Sequence, residues 1–342
     1  MGSSNALITK LRGRYGQNLR RDLLDAILAE DTLEGVLKHI RREFAPEAEN
    51  VNTIEEAELA LERWQVRKNR ELLRFMSGGD RAFFALFLQE MEIQELLRFL
   101  RVFARKNPSE QTAFVLHSLF EHRLKMPPDP QMSVRTYLER LVRKPYFRIL
   151  EPLMQRSEEA IDFDTLDLNL NRWYFHTLRQ EAKGLHGDER KGVLALVGSM
   201  IDFKNVNRIV HVKRFARSEE PYLRLQMIEG GRLIQGPVLE RLLQGATETV
   251  EGYLARSPYA GLLNEEGHLD AFLPIREQQV RYRLAWRFFR RTESGLLAAL
   301  SYASLQQYRM NDLRRILEGR AIGMDGTSLW PYMTEQMTKE RG

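Results

Sequence analysis

The sequence predicts an all-α protein, and three observations carry that prediction. A thirteen-residue segment occurs three times at near-equal spacing, close to one-third of the chain each time. Proline is absent from three long windows, and it is costly in helix interiors. No stretch alternates apolar and polar residues between hairpin turns in the manner of a strand.

The segment runs Met91–Phe103, Ile201–Lys213 and Tyr308–Arg320. In register, four positions are apolar in every copy: Ile93/Phe203/Met310, Leu96/Val206/Leu313, Phe99/Ile209/Ile316 and Leu100/Val210/Leu317. Their spacing makes one buried helix face. Each buried side chain is worth roughly 1.5–3 kcal/mol, enough for the segment to anchor a bundle. Arg98, Arg208 and Arg315 share a position, and Glu95, Asn205 and Asp312 stand three residues earlier. On a helix each pair can hydrogen-bond. The arginines are read either as partly buried structural clasps or as the lining of a shared surface or cavity.

The windows Glu47–Asn107, Leu153–Glu220 and Ile275–Trp330 hold no proline and are rich in Leu, Ala, Glu, Arg and Gln, which favour long helices. In the first, Leu61-Glu62-Arg63-Trp64 precedes the repeated segment; in the second it recurs, at the same spacing, as Leu170-Asn171-Arg172-Trp173. The third has a basic aromatic helix, Arg281–Arg291, with no clear copy of the Trp motif. Between windows lie Pro108–Pro152, with the turn signal Pro127-Pro128-Asp129-Pro130, and Pro221–Pro274, with Gly230-Gly231. Boundaries near 112 and 222 give three helical units: 1–112, 113–222 and 223–342. A chain made of one unit three times reads as a scaffold before it reads as an enzyme with one cleft.

Composition narrows the chemistry. With no cysteine, disulfides and Cys-ligated metals are excluded. No apolar run approaches the ~20 residues of a membrane span, and no signal peptide is expected. The net charge is +5, from 52 basic and 47 acidic residues that are mostly interleaved, as on solvated helix faces. None of the seven histidines stands in metal-ligand spacing. The chain has no P-loop, GxSxG elbow or GxGxxG, and no carboxylates marked as a catalytic pair, so no catalytic, cofactor or metal residue is expected. Gly230-Gly231 reads as a turn before it reads as a phosphate cradle. Lys10–Arg21 and Arg281–Arg291 mix cations with aromatics and read chiefly as structure or protein interface, with membrane headgroups or nucleic acid as alternatives.

Leu170-Asn171-Arg172-Trp173-Tyr174, Ile201 through Ile209, Lys213-Arg214-Phe215 and Gly230-Gly231 before Arg232-Leu233 resemble the central unit of a known family. It is the C-type subunit of the prokaryotic vacuolar-type and archaeal-type rotary ATPases, equivalent to the eukaryotic d-type subunit. Leu296–Met324, with Asn311-Asp312-Leu313-Arg314-Arg315-Ile316 and Gly319-Arg320-Ala321-Ile322-Gly323-Met324, is similar to that family's last unit. The resemblance implies a funnel of three pseudo-symmetric helical units around a central cavity. It implies a non-catalytic component, without cofactor, on the cytoplasmic membrane face. Such a component would couple the central-shaft subunits of D and F type to the proteolipid ring, and so support ion transport or ATP synthesis. Arg98, Arg208, Arg315, Lys213, Arg214 and Arg320 are the candidate interface or cavity-lining residues. The alternative is a helical adaptor whose basic surface binds nucleic acid or another protein.

Overall fold

The computed structural model describes residues 2–18, 20–104, 133–155, 161–216 and 220–334. The boundary near 112, the Pro127–Pro130 turn, His117 and His122 lie outside them. The described residues are carried by helices, with no strand among them. In order these are α1 (Gly2–Asn18), α2 (Arg21–Leu28), α3 (Leu33–Glu43), α4 (Ile54–Leu72), α5 (Gly78–Phe87) and α6 (Gln89–Ala104). Then come α7 (Val134–Glu139), α8 (Phe147–Leu150), α9 (Phe163–Lys183), α10 (Gly187–His211), α11 (Glu220–Leu225) and α12 (Gly236–Gln244). The last are α13 (Thr247–Ala255), α14 (Leu273–Arg291), α15 (Gly295–Ala321) and α16 (Gly326–Leu329). No described helix is long and apolar enough to cross a membrane.

Local chemistry sets many of the helix ends. Thr32, Thr53, Ser294 and Asp325 cap α3, α4, α15 and α16 with side-chain oxygens that accept backbone N–H groups, and Glu56 completes a capping box with Thr53. Pro237 and Pro274 stand in the first turns of α12 and α14, where the missing N–H has no intrahelical partner to lose. At the far end of α15, Met324 N–H bonds to the Gly319 carbonyl and Gly323 N–H to that of Arg320. Gly323 has φ +81, so this is a Schellman turn closed by a left-handed glycine.

The repeated segment lies on α6, α10 and α15. All twelve stripe residues are buried, none more than 4% exposed. A second repetition comes into view beside it. Helices α4, α9 and α14 start at Ile54, Phe163 and Leu273, an almost even spacing that matches the repeated segment. Thus α14 is the third copy of the long helix, although Val280-Arg281-Tyr282-Arg283 stands where the others have Leu-x-Arg-Trp. The first position of the motif, Leu61, Leu170 or Val280, is apolar and buried each time.

Two compact units are present. One joins Met1–Phe84 with Ala182–Gly342; the other is Ala85–Glu181. In the larger unit α15 is buried on every side over much of its length, the mark of a central helix. Its stripe, Met310, Leu313, Ile316 and Leu317, packs with Leu24, Ile27, Val36, Ile40, Leu61 and Trp64 from α2–α4. The stripe of α10 packs with Leu242, Val250, Leu254, Tyr259, Val280 and Leu284 from α12–α14. So α4 covers α15 as α14 covers α10. In the smaller unit, Phe99 of α6 stacks on Tyr137 at 3.5 Å. There Tyr174 of α9 donates its hydroxyl to the Phe87 carbonyl at 2.8 Å.

Candidate functional site

Most of the cations singled out from sequence are turned onto the chain's own backbone. Lys213 donates to the Leu243 carbonyl at 2.8 Å and also to that of Gly245, just past α12. Arg214 reaches the Leu269 carbonyl. Arg320, 8% exposed, donates to the Met324 and Leu28 carbonyls, both at 2.7 Å, and so ties the end of α2 to the end of α15. Helix ends leave carbonyls unpaired within the helix, and a buried guanidinium answers them with charge-assisted bonds. Arg98 differs: its side chain is 51% exposed and lies 3.7 Å from Glu95.

The second and third copies use the acceptor–arginine pair in the same way. Asn205 accepts from Ile228 N–H at 2.9 Å and donates to the Ile228 carbonyl at 2.8 Å, while Arg208 donates to the Gln226 carbonyl at 2.9 Å. Asp312 accepts from Thr334 N–H at 3.1 Å and from its hydroxyl, while Arg315 donates to the Tyr332 carbonyl at 3.3 Å. Each copy therefore clamps a returning three-residue stretch, Gln226–Ile228 or Tyr332–Thr334, with a buried methionine in the middle. Arg315 also donates to Asp312 at 3.1 Å and to Gln278 of α14. Burial pushes the Asp312 carboxyl up to about 6, against the pull of Thr334, Arg309 and Arg315. Burial also lowers Arg315, which Asp312 opposes.

Because Arg208 holds a part-buried carbonyl and Arg98 is half exposed, their losses should differ. Arg208→Ala is expected to cost about 1.5–3 kcal/mol and Arg98→Ala under about 1 kcal/mol, measured by chemical unfolding. Equal costs would contradict this difference.

Sequence reading missed a pair of buried acids. Asp202, fully buried on α10, accepts from Leu233 N–H at 2.8 Å, Ile234 N–H at 3.0 Å and the Tyr259 hydroxyl at 2.6 Å. Burial raises its carboxyl, opposed by these donors and by Arg232 N–H. The loop after Gly230-Gly231 is thus a cradle of backbone donors, and the carboxyl it holds is that of Asp202. Both glycines are needed for backbone reasons: Gly230 has φ +92, and a Cβ on Gly231 would lie 2.1 Å from Asp202 Oδ1. Glu92, in the matching position of α6, accepts from the Tyr146 hydroxyl and Lys144. The signal available beforehand was the dipeptide Pro145-Tyr146, recurring as Pro258-Tyr259.

A polar seam crosses the larger unit. Gln65 of α4 donates to Gln307, Gln307 to Asn311, and Asn311 to Gln278. Arg314 joins Asn311 to Glu62. Gln279 donates to the Met333 carbonyl at 3.0 Å, beside the clamped stretch. Partly buried networks of this kind favour one packing arrangement, although the Gln65 Oε1 within it is left without a partner. Among the described residues no group of three or more His, Asp or Glu could hold a metal. His39 and His268 meet Glu30 and Glu251 at 2.7 and 3.1 Å, and His211 is exposed.

This is a helical chain built by repetition, which returns to one helix pair and turns several of its buried polar side chains onto its own backbone. It belongs to the ATP synthase (C/AC39) subunit family, whose model matches residues 7–329. That is the V/A-type rotary ATPase family to which the repeated helices pointed. No curated protein matches the chain.

Proposed function

We propose that this protein links the rotating central shaft to the membrane proteolipid ring, without catalysis of its own. The carrying observation is the paired repetition: a long helix and a helix with the buried apolar stripe recur together at near-equal spacing along the chain. Three such pairs, in units 1–112, 113–222 and 223–342, can close around a cavity that accepts a shaft tip. Transmission of torque needs stiffness, which close packing supplies, and the polar seam favours one arrangement. Lys213, Arg208, Arg315 and Arg320 act within the walls of that cavity, bonded to backbone. Arg98 and Arg214, which keep exposed surface, are the ones proposed to meet a partner. The protein would sit peripherally on the cytoplasmic membrane face.

The test is capture. The purified chain is immobilised and offered the shaft subunits of D and F type and the detergent-solubilised proteolipid ring of its own complex. Retention of both is expected, with no ATP turnover by the chain alone. Retention of neither would overturn the coupling role.

A further inference from the structure

The two basic–aromatic stretches, from opposite ends of the sequence, meet in the larger unit. Arg12 of α1 donates to the Arg290 carbonyl at the end of α14, at 3.4 Å. The Tyr15 ring lies 4.8 Å from Trp286 and 5.4 Å from Phe289, and its hydroxyl is 3.1 Å from that of Tyr282. This contact sorts the side chains. Tyr282 and Phe289 turn inward and are buried, whereas Lys10, Arg12, Arg287, Arg290 and Arg291 stay exposed. A pattern that merely interleaves in sequence becomes a ridge with a cationic outer side.

We propose that this ridge, formed by α1 and the last turns of α14, docks on anionic phospholipid headgroups. The inference rests on the coupling reading, which brings the protein to a membrane face. Charge complementarity is the first argument. Exposed cations spread along a ridge address a broad anionic surface by charge. The aromatics are the second argument, and they favour lipid over nucleic acid. Phe75 is 40% exposed beneath the Lys10 ammonium, which lies 3.4 Å from the ring centroid. Trp286 and Phe288 are half-buried at the foot of the arginines. The Trp286 indole below a basic rim suits headgroup depth, with the two phenylalanine rings as apolar surface beside it. Asp188, Glu189 and Glu293 share a groove with Arg287 and Arg291 and moderate the local charge. Glu189 is bonded to the Ser294 hydroxyl and Asp188 lies 3.1 Å from Lys191. Attachment is accordingly reversible and sensitive to salt.

Vesicle co-sedimentation of the full chain tests this. Phosphatidylcholine vesicles are compared with vesicles in which a third of the lipid is phosphatidylglycerol. Binding to the anionic vesicles only is expected at about 50 mM salt, with loss at about 500 mM. The triple variant Arg12→Ala, Arg287→Ala, Arg291→Ala should lower partition by about fivefold per cation removed, with an unchanged melting temperature. The corresponding triple lysine variant should keep most of the binding. The proposal falls if anionic vesicles bind no better than neutral ones, or if the alanine variant partitions like wild type. It also falls if duplex DNA at the same salt outcompetes the vesicles for the ridge. Capture of shaft and ring in detergent is read separately. Intact capture with failed vesicle binding removes the lipid surface alone; failed capture with vesicle binding retained removes the coupling role alone.

Discussion

Gly231→Ala is expected to lower stability by about 3 kcal/mol or more, because the new methyl group has nowhere to go. Its Cβ would stand 2.1 Å from Asp202 Oδ1 and 2.6 Å from the Ile234 carbonyl oxygen. Neither is the loose end of a flexible side chain. Asp202 is held by two backbone N–H groups and the Tyr259 hydroxyl, and moving it strands buried donors. The Gly198–Arg232 approach fixes the other side of the loop: Arg232 N–H bonds to the Gly198 carbonyl at 3.1 Å. Chemical unfolding monitored by circular dichroism reads the loss. Gly252→Ala serves as the control, since its site on α13 has no neighbour within 4 Å and a helix interior favours alanine by up to about 1 kcal/mol. A Gly231→Ala protein as stable as the control would refute the cradle.

Asp312→Ala should cost about 3–5 kcal/mol, since it leaves the Thr334 N–H and hydroxyl without their acceptor and takes a counter-charge away from Arg309 and Arg315. Asp312→Asn is a sharper probe, because it installs the residue that performs the same clamp at position 205. Ionisation distinguishes the two. The Asp312 carboxyl titrates near 6 when folded, against 3.8 for an ordinary aspartate, so the folded chain holds its proton more tightly. Its contribution to stability is full below about pH 4 and is lost as pH rises to about 6, a change of about 3 kcal/mol. The asparagine variant should lack that fall while staying within about 1 kcal/mol of wild type at pH 8. Unfolding midpoints across this range check both statements. A wild-type stability that rises between pH 4 and 6, with the variant rising in parallel, would contradict the assignment.

Much of the helical plan was legible along the chain. The stripe on α6, α10 and α15 obeys helical periodicity, and its burial follows from counting apolar residues. The recurrence of Leu-x-Arg-Trp marked α4 and α9. Helix α14 was legible as a basic aromatic helix but not as the third copy, because Tyr282 and Arg283 replace the marked side chains, although its spacing is the same. The Asp202 cradle escaped for a different reason. Its mark in the sequence was the recurrence of Pro145-Tyr146 as Pro258-Tyr259, and a dipeptide does not say which buried acid its tyrosine will meet. The arginines were left between clasp and lining because a helical position fixes a side chain's direction but not the acceptor that awaits it.

By itself, the sequence determined the helices, their apolar faces, the even repetition and the family, since each depends on residues close together or on recurrence. Tertiary structure alone decided which helix covers which stripe. The N-terminal helices α2–α4 cover α15 from the opposite end of the chain, as the helices that follow α10 cover that helix. It also decided where each buried cation places its charge, and that α1 and α14 share one basic ridge. The physical reason is that hydrophobic burial is non-directional and leaves the choice of partner open. Close packing and directional hydrogen bonds settle that choice only when remote segments meet.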